Sequence, residues 1–349
     1  MVAITTTSDV SQPTFTLWYE QKDITHDITP FVTHISYSNN IKSESDEIDV
    51  QLDDSDGRWC RQWYPGKGDK LTLKLGYLNQ PLLDCGTFSI DEIELASPPS
   101  TVSIRGVATT VNSALRTKTS RGFEDTTLTA IASRVAQKHG LKLVGKIEPV
   151  LLDRVTQYAE TDVGFLKRIA SEYGYAVKVT MDQLIFSHLE TLRSQAALLK
   201  LSPMDVTTYS LRDTINQVYK QARVKHQNSK EKKLVVSEVN SAGTATRGKA
   251  TSDDTLKVEV RAPNDSTAQI KANAALDNHN EQQRSGSVAL QGTPQLTAGN
   301  KIELINFGEL SGCWLIEMAR HRFDRSSGYV TEIDITSGPR TNSGSGEGK

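Results

Sequence analysis

The chain contains little of what several common protein classes require. Its 349 residues include three cysteines, Cys60, Cys85 and Cys313, too few and too scattered for a disulfide framework or a zinc knuckle. No apolar run approaches the roughly 20 residues of a membrane-spanning helix. The N-terminus lacks a basic region followed by an apolar stretch, so no secretory signal is predicted. The net charge of −2 gives none of the basic excess that general nucleic-acid binding needs.

Catalytic signatures are also missing. The seven histidines show no metal-ligand spacing, and no Gly-x-Ser-x-Gly nucleophile elbow is present. Gly243–Lys249 has the spacing of a phosphate-binding loop, but Ala250 stands where such a loop needs Ser or Thr. Four carboxylates in a turn and an alternating strand favour a solvated face over a glycosidase pair: Glu44, Asp46, Glu47 and Asp49. We therefore expect no catalytic residues, no metal and no cofactor.

One β pattern occurs twice in the chain. A turn, a strand and a Gly-opened strand follow one another at Gly68–Leu73 with Gly86–Asp91, and again at Gly299–Leu304 with Gly312–Glu317. A further alternating strand follows each copy. The shared order favours a duplicated structural module. The alignment places Trp314 where the first copy has Phe88, so we expect Trp314 to pack inside the second module rather than bind a ligand.

The middle of the chain changes from a period of two to the helical period. Apolar residues at helical spacing precede Gly140 and again precede Gly174, and glycine is the usual residue at a helix C-terminus. Matching these glycines aligns residues 134–140 with 168–174. The pattern predicts a small α/β unit that is itself repeated, with His139 near a helix dipole.

These patterns predict a mainly β protein with an α+β insertion, in which two tube-like antiparallel β-barrel domains flank a small α/β domain. We place the first barrel at residues 1–112 and the α/β domain at 113–195. The second barrel takes 196–340, with a helical and loop insertion at about 228–286. Residues 341–349 are Gly/Ser-rich and are predicted to form a flexible tail.

Three runs in order resemble the phage late control gene D family over about residues 12 to 340. They are Pro65–Asp69 with Gly76 and Tyr77, then Gln157–Gly174, then Gly292–Ile302 with Phe307–His321. The signature residues within these runs are Gly66, Gly68, Asp69, Gly76, Glu160, Asp162, Phe165, Leu166, Gly174, Gly299, Phe307, Gly308, Gly312, Trp314 and His321.

The resemblance implies a structural, non-enzymatic baseplate hub of a contractile phage tail, an R-type bacteriocin or a related contractile injection system. It implies a homotrimer whose six barrels form a pseudo-six-fold ring between the hexameric tail tube and the trimeric spike. Expected partners are the spike, the tube protein and other baseplate proteins. No membrane binding by the isolated chain and no specific nucleic-acid binding are expected. Assembly in the bacterial cytoplasm would precede incorporation into the virion or particle.

Two alternatives stay open at this point. The first is a cell-wall-degrading tail enzyme, which peptidoglycan zymography would reveal. The second is a carbohydrate-binding β protein that recognises a host surface through exposed aromatic residues. Trp59, Trp63 and Tyr64 are the candidates for that role, and otherwise they are core or interface aromatics. A Trp63→Ala variant that assembles but loses cell attachment would favour this second alternative.

Overall fold

The computed structural model describes residues 12–42, 45–108, 117–180, 182–214, 218–228, 233–240, 255–258 and 265–337. The predicted tail at 341–349 and the loop around Gly243–Lys249 lie outside these ranges, as does Glu44. None of the helices within the ranges is long and apolar enough to cross a membrane.

The first β module is built from strands whose alternate residues face one core. The elements are β1 (Pro13–Tyr19), β2 (Lys22–Asp23), α1 (Thr25–Ile28), β3 (Val32–Asn40), β4 (Glu47–Asp53), β5 (Lys70–Tyr77), β6 (Leu83–Ala96) and β7 (Thr101–Val107). Leu71, Leu73 and Leu75 of β5 are buried, as the alternation predicts. Neighbouring strands follow the order β3-β4-β7-β6-β5-β1.

The second β module repeats this strand order. Its strands are β13 (Leu199–Leu201), β14 (Thr208–Asp213), β18 (Arg284–Gln291), β19 (Lys301–Leu304), β20 (Gly312–Asp324) and β21 (Gly328–Ser337). They follow one another as β14-β18-β21-β20-β19-β13. The match differs at one end, because β13 pairs with β19 in parallel whereas β1 pairs with β5 antiparallel.

The two modules also share individual backbone hydrogen bonds. The Gly68 N–H donates to the Ile90 carbonyl at 2.8 Å, and the Gly299 N–H donates to the Ile316 carbonyl at 2.9 Å. Gly68 and Gly299 both have a φ of 93°, which glycine adopts at low cost. Directly after Ile90 and Ile316, each long strand has a register shift against its return strand. The two modules thus share their strand order, these hydrogen bonds and the position of a β-bulge.

The modules are joined edge to edge in one continuous sheet of 13 strands. Strand β3 of the first module pairs antiparallel with the second half of β20, from Met318 opposite Asn40 to Asp324 opposite His34. Sequence analysis predicted two barrels and gave no sign of this junction, because an alternating pattern does not name its pairing partner.

The middle unit contains two strand–helix–strand repeats and a final strand. The elements are β8 (Thr119–Thr127), α2 (Leu128–Lys138), β9 (Lys142–Val144), β10 (Leu151–Glu160), α3 (Asp162–Ser171), β11 (Tyr175–Val179) and β12 (Gln183–His188). β8 pairs with β10, and β12 lies between β9 and β11. The short helix α4 (Leu189–Ser194) then leads into the second module.

The two halves of this unit repeat at a fixed spacing of 34 residues, from Thr127 to Thr161 and from Gly140 to Gly174. The Thr127 hydroxyl accepts the Ala130 N–H at 3.1 Å, and the Thr161 hydroxyl accepts the Gly164 N–H at 3.1 Å. Both threonines therefore cap their helices in the same way.

A further small unit lies between β14 and β18. It consists of β15 (Gln221–Asn228), β16 (Lys233–Asn240), β17 (Thr255–Val258) and α5 (Asp265–Asn280). Ala222, Val224, Ala268, Ala272 and Leu276 form its core. In the structure this unit begins at Gln221, whereas the sequence placed its start at about 228. Together these elements confirm the predicted class, mainly β with an α+β insertion.

Candidate functional site: the module junction and its exposed edges

The signature turn before β5 is fixed by one carboxylate. Asp69 Oδ2 accepts the Gly66 N–H at 3.0 Å and also a hydrogen bond from the Tyr19 hydroxyl. A Cβ on Gly66 would lie 2.4 Å from the same oxygen, so a side chain there displaces Asp69. The second module uses Asn300, which donates to the Thr297 hydroxyl at 2.8 Å. Both turns thus hold their strands through a short polar side chain.

The other signature residues of the β modules serve close packing. A Cβ on Gly76 would lie 2.9 Å from the Leu82 side chain. The left-handed Gly308 and Gly312 bracket a turn whose Leu310 carbonyl accepts the Trp314 indole N–H at 3.1 Å. Trp314 and Phe88 are both buried and face equivalent partners, Ile302 and Leu71. Trp314 is therefore a core residue, as the alignment predicts.

Phe307 ties the edge strand β14 to this turn. Its ring meets the Tyr209 ring edge-on at 5.0 Å between centroids.

His321 lies at the centre of the junction and is fully buried. One ring nitrogen lies 2.9 Å from the Leu296 carbonyl and the other lies 2.9 Å from the Tyr329 hydroxyl. A carbonyl accepts only, so Nε2 carries the hydrogen and Nδ1 accepts. Burial lowers the pKa of His321 to about 4, although the Leu296 carbonyl acts in the opposite direction. The neutral ring stacks on Tyr37 from the first module, with ring centroids 6.0 Å apart.

An ion network ties the junction to the inserted unit. Lys42 Nζ lies 2.8 Å from both Glu281 Oε2 and Glu317 Oε1. Glu281 is buried, and its second oxygen lies 2.9 Å from Arg193 Nη2. Burial alone would raise the pKa of Glu281, but the charges of Arg193 and Lys42 lower it overall. The sequence gave no sign of this network, because its members are distant in the chain.

A second buried carboxylate links the first module to the middle unit. Asp46 Oδ1 lies 2.6 Å from Lys178 Nζ, and Asp46 Oδ2 accepts the Asn39 amide at 2.9 Å. The expectation of a solvated acidic face was therefore wrong for Asp46, which is buried. Asp49 does face solvent in part, and it pairs with Arg105 at 3.0 Å.

Asp162 organises the middle unit. Its carboxylate is fully buried and accepts from Arg121 and Lys138 at 2.7 Å, from His139 at 2.8 Å and from Gln157 at 3.0 Å. Burial would raise the pKa of Asp162, but hydrogen bonds from Lys138, Gln157 and His139 and the charge of Arg121 lower it far below its ordinary value. His139 thus contacts a carboxylate rather than only a helix dipole.

The remaining signature residues of the middle unit have structural roles of their own. Glu160 accepts from Arg168 at 3.0 Å, and Phe165 stacks on Phe123 with centroids 5.4 Å apart. Leu166 is fully buried, and Gly174 ends its segment with a φ of 77°.

The three candidate interface aromatics differ in exposure. Trp59 is buried, with its ring edge-on to Trp63 and Phe31. Trp63 and Tyr64 are 40% and 48% exposed, and they line an apolar cavity of about 350 Å³ at the end of the first module. Arg58 lies 5.4 Å from the Trp63 ring centroid, so one face of that indole is already covered.

The cysteines are free thiols. Cys85 is buried, whereas Cys60 and Cys313 are exposed. Successive side chains of a strand point to opposite faces, so Cys313 points outward where its neighbour Trp314 points into the core. Within the described ranges, no group of three His, Cys, Asp or Glu side chains is placed to hold a metal ion.

Several strand edges lack a partner in the part of the chain that the structure describes, and two of them are the outer edge of β14 and the end of β6. Strand β14 pairs only with β18, and its outer edge has no partner. Strand β6 pairs with β5 as far as Ser89, so Glu92–Ala96 pair only with β7. Tyr209 on β14 and Leu95 on β6 are 52% and 51% exposed. Such edges are docking surfaces for another strand. Sequence analysis missed both.

Structural comparison finds the same fold in two tail proteins and in a component of a type VI secretion system. A 43 kDa tail protein of prophage MuSo2 from Shewanella oneidensis aligns with a TM-score of 0.69 at 16% identity, covering 93% of this chain and 98% of that one. A tail protein from Neisseria meningitidis MC58 gives the same score at 12% identity, over 93% and 97%. A type VI secretion component of E. coli gives 0.56 at 12% identity, over 89% and 76%. These likenesses show the fold.

Sequence comparison identifies relatives and the family. A probable baseplate hub protein of Escherichia phage 186 is 30% identical over 176 residues, and one of Escherichia phage P2 is 29% identical over 176 residues. The match takes 50% of this chain but only 44% and 45% of those proteins, so the chain aligns with less than half of their length. The family model of the phage tail baseplate hub (GPD) matches residues 109–327. The chain therefore belongs to the phage tail baseplate hub (GPD) family.

Proposed function

We propose that this protein is the structural hub of a contractile tail baseplate. Three copies would form a ring of six β modules with pseudo-six-fold symmetry. The ring would join a hexameric tail tube to a trimeric spike, and it would transmit sheath contraction as a thrust. The main support for this proposal is the equivalence of the two modules, which share their strand order, a β-bulge and the hydrogen bonds of Gly68 and Gly299.

The internal duplication supports a ring because it gives one subunit two similar docking units. A trimer of such subunits presents six units to a six-fold tube and three copies of everything else to a three-fold spike. The buried junction fixes the angle between the two units through Tyr37, His321 and the ion pairs of Lys42. A rigid angle is what a closed ring needs. The role is structural, and the related proteins named baseplate hub agree with it.

The middle unit would contact other baseplate proteins. The helical faces at 128–139 and 163–173 do not provide this contact, because their apolar residues pack in the core of the unit itself. The support comes from the β8–β10 ribbon, where Leu151 and Tyr158 are 69% and 78% exposed. Replacing both by serine should leave the ring intact and reduce its incorporation into tails; unchanged incorporation would contradict this contact.

The test of the hub function is electron microscopy of the purified chain mixed with the spike protein encoded in the same genome. Class averages with six similar lobes around a channel are expected, with three-fold symmetry in the reconstruction. Particles that contain one copy of the chain, with no ring and no association with the spike, would contradict the proposal. The phage and bacteriocin forms of the hub would give the same images.

A further inference from the structure

The internal junction between the modules predicts how two copies of the chain meet. This inference rests on the proposed hub function and adds the partner surface and its register. The first module offers β3 to the junction, and the second module offers the end of β20. In the two strand orders, β14 of the second module corresponds to β3, and β6 of the first module corresponds to β20. The edge of β14 and the end of β6 are therefore equivalent to the two edges that form the junction, but they do not meet within one chain.

The equivalence of these strands is set by rows of residues across the sheet. In the first module, Tyr37, Ile48, Gly106 and Ile90 lie side by side on β3, β4, β7 and β6. In the second module, Leu211, Gly286, Ile335 and Ile316 form the corresponding row on β14, β18, β21 and β20. Leu211 therefore corresponds to Tyr37, and Ile90 corresponds to Ile316.

The register of the unused pair follows directly. Within the chain, Tyr37 lies opposite His321, five residues after Ile316. Five residues after Ile90 is Leu95. We propose that β14 of one copy pairs antiparallel with the end of β6 of a second copy, placing Leu211 opposite Leu95.

The side chains of the two edges match in this register. The Leu211–Leu95 pair replaces the Tyr37–His321 stack of the internal junction, and Leu95 is 51% exposed until a partner covers it.

The next pair is Arg212 opposite Glu94. Its counterpart inside the chain is Ser38 opposite Arg320, where the guanidinium donates to the hydroxyl at 3.3 Å. Opposite charges directly across an antiparallel pair stabilise it, and a one-residue slip would separate them.

The two surfaces differ, so the contact is heterologous: β14 of each copy pairs with β6 of the next copy. Such contacts make a closed ring or an open filament, depending on the rotation between copies. The internal junction supplies that rotation, because the same strand pairing would repeat at every module boundary. Six modules would then be joined by three junctions within chains and three between chains.

Cysteine cross-linking tests the register. We would replace exposed Cys60 and Cys313 by serine, then prepare Leu95→Cys and Leu211→Cys as separate chains. Directly opposite residues have Cα atoms about 4.5–5.5 Å apart, which suits a disulfide. Mixing the two chains under mild oxidation should give a disulfide-linked dimer. The matched control, Leu95→Cys with Tyr209→Cys, places the thiols on a diagonal and should give roughly tenfold less.

A second pair of variants tests the charges without cysteine. Arg212→Glu and Glu94→Arg should each raise the concentration needed for trimer formation, measured by light scattering, and the double variant should restore it. Two results would overturn the register but not the hub function. One is a trimer that cross-links equally through Tyr209→Cys, and the other is a trimer whose formation is unchanged by both charge reversals. A chain that stays monomeric at every concentration, both alone and with the spike protein, would overturn both.

Discussion

Protonation of His321 at the junction should set the acid stability of the protein. In the unfolded chain this histidine has the ordinary pKa of about 6.5, whereas in the folded chain its pKa is about 4. The unfolded state therefore binds more protons between these values, and the free energy of unfolding falls as the pH falls through that window. A pKa difference of about 2.5 corresponds to about 3 kcal/mol of lost stability.

Urea unfolding at about pH 7 and about pH 4.5 measures this loss. The native protein should lose about 2.5 kcal/mol through His321 between these conditions, before other groups are counted. His321→Gln keeps a neutral polar side chain and should remove that part of the pH dependence, although its stability at neutral pH is lower. The control is His26→Gln, which makes the same substitution at an exposed histidine outside the junction. Equal pH dependence in His321→Gln and the native protein would refute the reasoning.

Two further substitutions test the middle unit and the edge strand. Asp162→Asn leaves Arg121 and Lys138 without their buried carboxylate and should lower the free energy of urea unfolding by about 3–5 kcal/mol; a loss under about 1 kcal/mol would contradict the central role of this group. Gly286→Ala places a Cβ 2.4 Å from the Ser210 carbonyl oxygen and should cost about 1–3 kcal/mol while weakening trimer formation. Its control is Gly122→Ala, which meets nothing within 4 Å, and equal costs at both sites would contradict the predicted clash.

The sequence predicted what depends on local patterns. The glycine turns at Gly68 and Gly299, the buried pair Phe88 and Trp314, and the helix ends at Gly140 and Gly174 all follow from residues close in the chain. The fold class follows from the same patterns, since alternation and helical spacing each mark a buried face.

The junction and the edges could not be predicted in this way. Nothing in the alternation of β3 states that its outer edge meets β20, because pairing partners depend on the assembled sheet. Strand β14 alternates Tyr209 and Leu211 with polar residues, but this alternation does not show that one of its edges is unpaired. The Asp162 cluster gathers Arg121, Lys138 and Gln157 from separate elements, and only the folded unit brings them to one carboxylate.

The most direct test of the hub account is the solution mass of the purified chain, measured by light scattering alone and with its spike protein. The account predicts a species of about 115 kDa for the chain, three times its 38.4 kDa, either alone or on the spike. A mass of 38.4 kDa under both conditions would contradict the trimeric ring.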